Sequence, residues 1–145
     1  MTRVDFYILE DQTLDASLRF ACRLSLKAYL SRQPVHIHVA DTKTASDLDE
    51  LMWNYPKHRF VPHEIAASKQ PASSPIQISS QMPHRNEGLL INLALDVPVF
   101  FGRFDRVAEI IVGETKEQGR QRYSHYRDRG YPLHHHELSD WERTE

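Results

Sequence analysis

One alternation constrains this chain more than anything else in it. Short runs of strand-forming residues, "VDFYIL" (4–9), "PVHIHVA" (34–40), "RFVPH" (59–63), "IQIS" (76–79), "LLINLAL" (89–95) and "RVAEIIV" (106–112), are separated by turns and by stretches with helical period. In "PVHIHVA" the residues Val35, Ile37 and Val39 alternate with His36 and His38, the period of a strand with two distinct faces. Between the first two runs, "LDASLRFACRLSLKAYLSR" predicts a helix with Leu14, Leu18, Ala21, Ser25, Ala28 and Tyr29 on one broad side. Asp41 or Thr42 is placed to cap a second helix that must stop before Pro56, and a third helix is predicted from about Glu114. Strands alternating with helices read as an α/β fold, a three-layer sandwich around a mainly parallel sheet.

With 145 residues there is room for one substantial core. Residues 1–133 are expected to form a single α/β domain. Residues 134–145, rich in His and acids, read as a polar tail, and "AASKQPASSP" (66–75) as a polar connection. The lone Cys22 excludes an internal disulfide framework and reads as a buried, inert thiol. "MTRVDFYILE" lacks the apolar core of a signal peptide, and no apolar run approaches about 18 residues. The expectation is a cytoplasmic protein with no membrane association.

An α/β sheet invites a nucleotide, yet "EDQTLD" after the first strand offers two acids and no glycine where a phosphate loop needs closely spaced ones. Nothing resembles a dinucleotide fingerprint either, so the topology is nucleotide-binding-like without the loop. His36 and His38 share a strand face, His63 and His84 fall in expected loops, and "HHH" spans 134–136. None of this has the spacing of H-E-x-x-H or paired Cys ligands, so these read as ordinary imidazoles, the triplet capturing metal adventitiously at most. No G-x-S-x-G elbow is present. Neither a cofactor, a metal nor a small-molecule substrate is expected.

Two surfaces read better as interaction sites. In "DLDELMWNYP", Leu48, Leu51, Met52 and Tyr55 form the buried stripe, and Trp53 lies roughly 140° from Leu48, among acids. An exposed Trp close to Phe60, Val61 and Pro62 is the kind of anchor found at interface hot spots. In "EQGRQRYSHYRDRGY" (117–131), taking Lys116 as origin, Arg120, Tyr123 and Arg127 fall at roughly +40°, −20° and +20°. Three cations and a phenol thus make one stripe, with Thr115, Gly119 and Tyr126 on the adjacent packing stripe. Such a stripe suits either a carboxylate-bearing peptide or a phosphate backbone with stacking bases.

The ordered set "DFYIL", "LDELMW", "RFVPH", "LLINL" and "RYSHYRDRGY" resembles the chi subunit of bacterial DNA polymerase III holoenzyme, over nearly the whole chain. The resemblance implies a clamp-loader accessory protein without catalytic activity, DNA being contacted indirectly. It further implies binding of the acidic C-terminal tail of single-stranded DNA-binding protein at Lys116, Arg120, Tyr123 and Arg127, against an apolar wall of Ile111 and Val112. Contact with the psi subunit is implied at Trp53, Phe60 and Pro62. The alternative reading is a module that binds single-stranded nucleic acid directly through the same helix.

Overall fold

The computed structural model describes residues 1–57, 59–66 and 74–142. In chain order the elements are β1 (Arg3–Leu9), α1 (Leu14–Leu30), β2 (Val35–His38), α2 (Thr42–Met52), β3 (His63–Ile65), β4 (Ile76–Ser79), β5 (Leu89–Asn92), β6 (Arg106–Ile111), α3 (Lys116–Asp128) and β7 (Leu133–Leu138). One seven-stranded sheet runs β3-β4-β2-β5-β6-β1-β7, every neighbouring pair parallel. From β1 the chain crosses through α1 toward β2, whereas from β6 it crosses through α3 in the opposite direction to β7. Right-handed crossovers in opposite directions put their helices on opposite faces. Helices α1 and α2 accordingly cover the face carrying Val35, Ile37, Ile78 and Ile91, and α3 covers the face carrying Val4, Phe6, Val107 and Ile111. The α/β sandwich expected from the alternation is what the chain forms.

Local chemistry sets the element ends. Asp41 accepts the Thr44 N–H at 2.8 Å and caps α2. Gly88 has φ +86, and a Cβ there would lie 2.3 Å from the Pro34 carbonyl oxygen, so the turn into β5 requires glycine. Two of the expected strands with a misplaced end have a polar or imino cause. Pro62 carries no N–H, and pairing of the third strand starts only after it, at His63 rather than at Arg59. The fifth stops at Asn92, whose side-chain oxygen accepts the Ala94 N–H at 3.1 Å and turns the backbone.

Two further differences concern packing. The buried side of α1 is Ala16, Ser17, Phe20, Ala21, Cys22, Ser25 and Ala28, while Leu14 is exposed. Phe20 is sandwiched between Tyr7 and Trp141, so the C-terminal arm covers a side of the helix that the wheel left to solvent. Cys22 is buried, and burial pushes its thiol up to about 12. More consequentially, the stretch from residue 134 read as tail carries the edge strand β7. Its pairing with β1 is reinforced by His136, which stacks on Tyr7 and lies 2.8 Å from the buried Asp5 carboxylate. Burial opposes ionisation of Asp5, but hydrogen bonds from His136, Arg3 and Arg106 outweigh it and hold the carboxyl below its ordinary range. Beyond β7, Glu142 pairs with Arg19 at 2.8 Å and accepts from Tyr55. Residues 67–73, most of the expected polar connection, lie outside the described residues, as do the last three of the expected tail.

Candidate functional site

The crevice at the C-terminal ends of the strands is where an open α/β sheet usually takes its ligand, at the point where the connections change direction. Here that crevice is lined by Asp15, Asp41, Asp47 and Arg122 among polar and apolar neighbours. At the N-terminus of α1, the Leu14 N–H donates to the Glu114 carboxylate at 2.7 Å. An internal carboxylate therefore sits where a phosphate would bind a helix N-terminus. Among the described residues no three His, Cys, Asp or Glu side chains cluster as a metal site would require, and no helix is long and apolar enough to cross a membrane.

On the other side of the sheet, α3 is fixed by its inner face. Gly119 lets it approach β6 so closely that a Cβ would fall 2.5 Å from Ile111 Cδ1. Below it lies Glu109, fully buried in the middle of β6. Its Oε1 accepts from Arg122 Nε at 2.7 Å, and its Oε2 accepts from Tyr126 OH at 2.7 Å and Asn92 Nδ2 at 3.0 Å. Arg122 also donates to the Leu95 carbonyl at 3.0 Å. Burial pushes the Glu109 carboxyl upward, against the opposing pull of Arg122 and the two other donors. Charge and polar groups are thus satisfied across the α3–β6 interface, and the helix has one rotational setting.

That setting turns Lys116, Arg120 and Arg127 outward and leaves Tyr123 half buried. These four residues line one side of a groove of about 580 Å³. Its apolar floor is Phe6 and Ile8 of β1 with Ile111 of β6, and its far wall is His135 and Glu137 of β7. Tyr123 meets Phe6 edge-on, with centroids 5.5 Å apart, and lies 5.1 Å from His135. The Arg127 guanidinium stands 5.9 Å from the Tyr123 centroid. Val112, expected in the apolar wall, is fully buried in the opposite core, because alternation along the strand turns it away from Ile111. The groove is not free of acids: Glu117 lies 3.5 Å from Arg120, and Asp128 lies 3.3 Å from Arg127. All four side chains are exposed, and exposed pairs of this kind hold their cations weakly enough for an incoming carboxylate to compete.

At the opposite edge of the sheet, Trp53 follows the last turn of α2, and its ring lies 5.1 Å from that of Phe60. Both stay open to solvent, at 59% and 52% exposure. Beneath them His63 contacts both rings, with Nδ1 at 2.7 Å from the Val61 carbonyl and Nε2 at 3.3 Å from Asp49. Pro62 is half buried beside them, and the neighbouring Ile65 of β3 is exposed. The residues singled out in sequence therefore fall into two groups at the two sheet edges. Phe6, Ile8 and His135 are groove residues that the sequence reading did not select.

Residues 1–134 match the family described as DNA polymerase III chi subunit, HolC. A protein named DNA polymerase III subunit chi from Pseudomonas aeruginosa is 38% identical over 141 residues, which cover 95% of this chain and 98% of that one. Proteins of the same name from Escherichia coli and Haemophilus influenzae are each 29% identical, spanning 92% and 88% of this chain and 96% and 92% of their own.

Proposed function

The chain belongs to the family of DNA polymerase III chi subunits, and on that premise we propose that it is a cytoplasmic, non-catalytic adaptor of replication. In this reading it joins the clamp loader, through a psi subunit, to DNA coated with single-stranded DNA-binding protein. The observation that carries the proposal is the groove, where Lys116, Arg120 and Arg127 stand over the apolar floor of Phe6, Ile8 and Ile111. An acidic peptide ending in Phe needs both parts: cations for its side-chain and terminal carboxylates, and an apolar recess walled by Tyr123 for the ring.

The test is a parallel titration of a labelled acidic, Phe-ended peptide and a labelled oligonucleotide. Arg120→Ala is expected to weaken the peptide by ~5- to 150-fold, as loss of a charge-assisted fork would. Lys116→Ala costs less, because an ammonium cannot make the bidentate contact, and both affinities fall as salt rises. Unchanged peptide affinity in Arg120→Ala refutes the assignment. Oligonucleotide binding that disappears with the same substitution favours direct binding of single strands instead.

The aromatic patch is assigned to psi. Trp53 is 59% exposed and packs mainly on Phe60 and His63, so its truncation leaves the core intact. Trp53→Ala is expected to cost ~2 kcal/mol or more in psi affinity, measured calorimetrically, with little change in the melting temperature. A variant that unfolds would make Trp53 a core residue and remove the patch from the interface.

A further inference from the structure

Resting on the groove reading above, we propose that the acidic peptide held by this groove continues along β7 as an added strand, hydrogen-bonded to the edge that no described strand pairs. Val4 N–H donates to the Pro132 carbonyl and Glu10 N–H to the Leu138 carbonyl. With the register Val4↔Leu133, Phe6↔His135 and Ile8↔Glu137, a parallel ladder spends the even-numbered backbone groups of β7 on β1. The N–H and C=O groups of Leu133, His135 and Glu137 point away from the sheet.

An edge of this kind is normally blunted by Pro, Lys, a bulge or a covering element. "LHHHEL" contains neither Pro nor Lys, and it pairs without a break over all of its six residues. The opposite edge strand has only three. Two of the outward-facing residues, His135 and Glu137, also line the groove. A chain extended beside β7 therefore satisfies the backbone edge while pointing alternate side chains over the groove.

Charge decides which occupant fits. Lys116, Arg120 and Arg127 line the α3 side of the groove and outnumber Glu137, the acid on its β7 wall, where His134 and His135 are also exposed. A second copy pairing through this edge would bring the same Lys and Arg side chains against each other. An acidic chain meets them with opposite charge. Backbone bonds to the edge ask only for an extended conformation, leaving specificity to the acids and to the last, apolar residue.

Proline at an outward position tests this directly, since it removes an N–H that β1 does not use. With the labelled acidic, Phe-ended peptide, His135→Pro is expected to bind roughly tenfold more weakly than His135→Ala, which carries the loss of the groove-lining ring alone. Circular dichroism checks that both variants fold. In the unmodified protein, the peptide is expected to slow hydrogen exchange at the His135 and Glu137 amides. Equal affinities of the Ala and Pro variants, or exchange unaltered by peptide, overturn strand addition. If Arg120→Ala still abolishes binding in that case, the groove reading survives alone. Peptide affinity indifferent to Arg120→Ala removes both. A dimer that sedimentation detects and the peptide does not dissociate assigns the edge to a second copy and overturns the proposal.

Discussion

Arg122→Ala is expected to lower the unfolding free energy by about 3–5 kcal/mol, the usual consequence of stranding one partner of a buried ion pair. Arg122 is 5% exposed and Glu109 is completely buried, so removing the guanidinium leaves a carboxyl with only Tyr126 and Asn92 as donors. For a domain of this size the melting temperature should fall by roughly 6–20 °C. Replacing both partners by apolar residues of similar volume, as in Glu109→Leu with Arg122→Met, should recover most of that loss, because neither charge is then left unpaired. Tyr126→Phe removes one of three donors and should cost about 1–2 kcal/mol. Denaturant melts of the four proteins check the series. A loss below about 1 kcal/mol for Arg122→Ala would mean that apolar contacts alone hold α3. The functional stake is geometric, since this network sits on the side of α3 away from the groove and sets which side chains the helix presents.

The second large effect is acid sensitivity centred on His36. Its imidazole is fully buried on β2 among Phe100, Phe104 and His38, opposite Gln77 and Leu90 on the flanking strands. Neither ring nitrogen has a hydrogen-bond partner among the described residues. Burial, reinforced by the nearby His38 and Arg85, pushes its pKa down to about 3. In the unfolded chain the same group titrates near 6.5, so below that pH the unfolded state binds more protons. The stability that neutral His36 preserves is complete above pH 6.5 and is lost progressively as pH falls toward 3. At about 1.4 kcal/mol per pH unit, the loss reaches about 2 kcal/mol by pH 5, before most carboxylates begin to protonate. His36→Leu should flatten the pH dependence of the urea midpoint between pH 6.5 and 5. A variant as acid-sensitive as the parent would place the cause elsewhere, His38 being the first candidate because burial lowers it too.

What could be read from the sequence divides along the range of the interactions. Period-2 and period-3.6 patterns are local, and they gave the alternation of strands and helices and hence the parallel sheet. The cationic stripe was legible for the same reason, because Lys116, Arg120, Tyr123 and Arg127 lie within one helix. Its floor was not. Alternation puts Phe6 and Ile8 on one face of β1, but which face α3 covers depends on the order β6-β1-β7, a property of the whole sheet. The edge strand was hidden because "LHHHEL" has no apolar alternation and is held by Asp5 and Tyr7, residues at the far end of the chain. Arg122 was hidden by its charge. It falls on the same stripe as Thr115 and Gly119, and the available signal was Glu109, a lone acid inside "RVAEIIV" that had to find a cation.

The order of the sheet has a consequence for how two partners would be held at once. β3, beside the Trp53 patch, and β7, beside the groove, are the two outermost strands, six inter-strand spacings or roughly 29 Å apart. Partners seated at opposite edges do not collide, and the rigid sheet fixes their offset. Were the two partners linked to each other by a tether that spans the gap, anchoring one would present the other to its own binding site at an effective concentration in the millimolar range. An individually weak tail contact would then be enough to keep the assembly together, while each contact on its own could still dissociate and rebind quickly. If both edges are occupied as proposed, the sheet would act as a spacer whose width sets the reach that simultaneous binding requires.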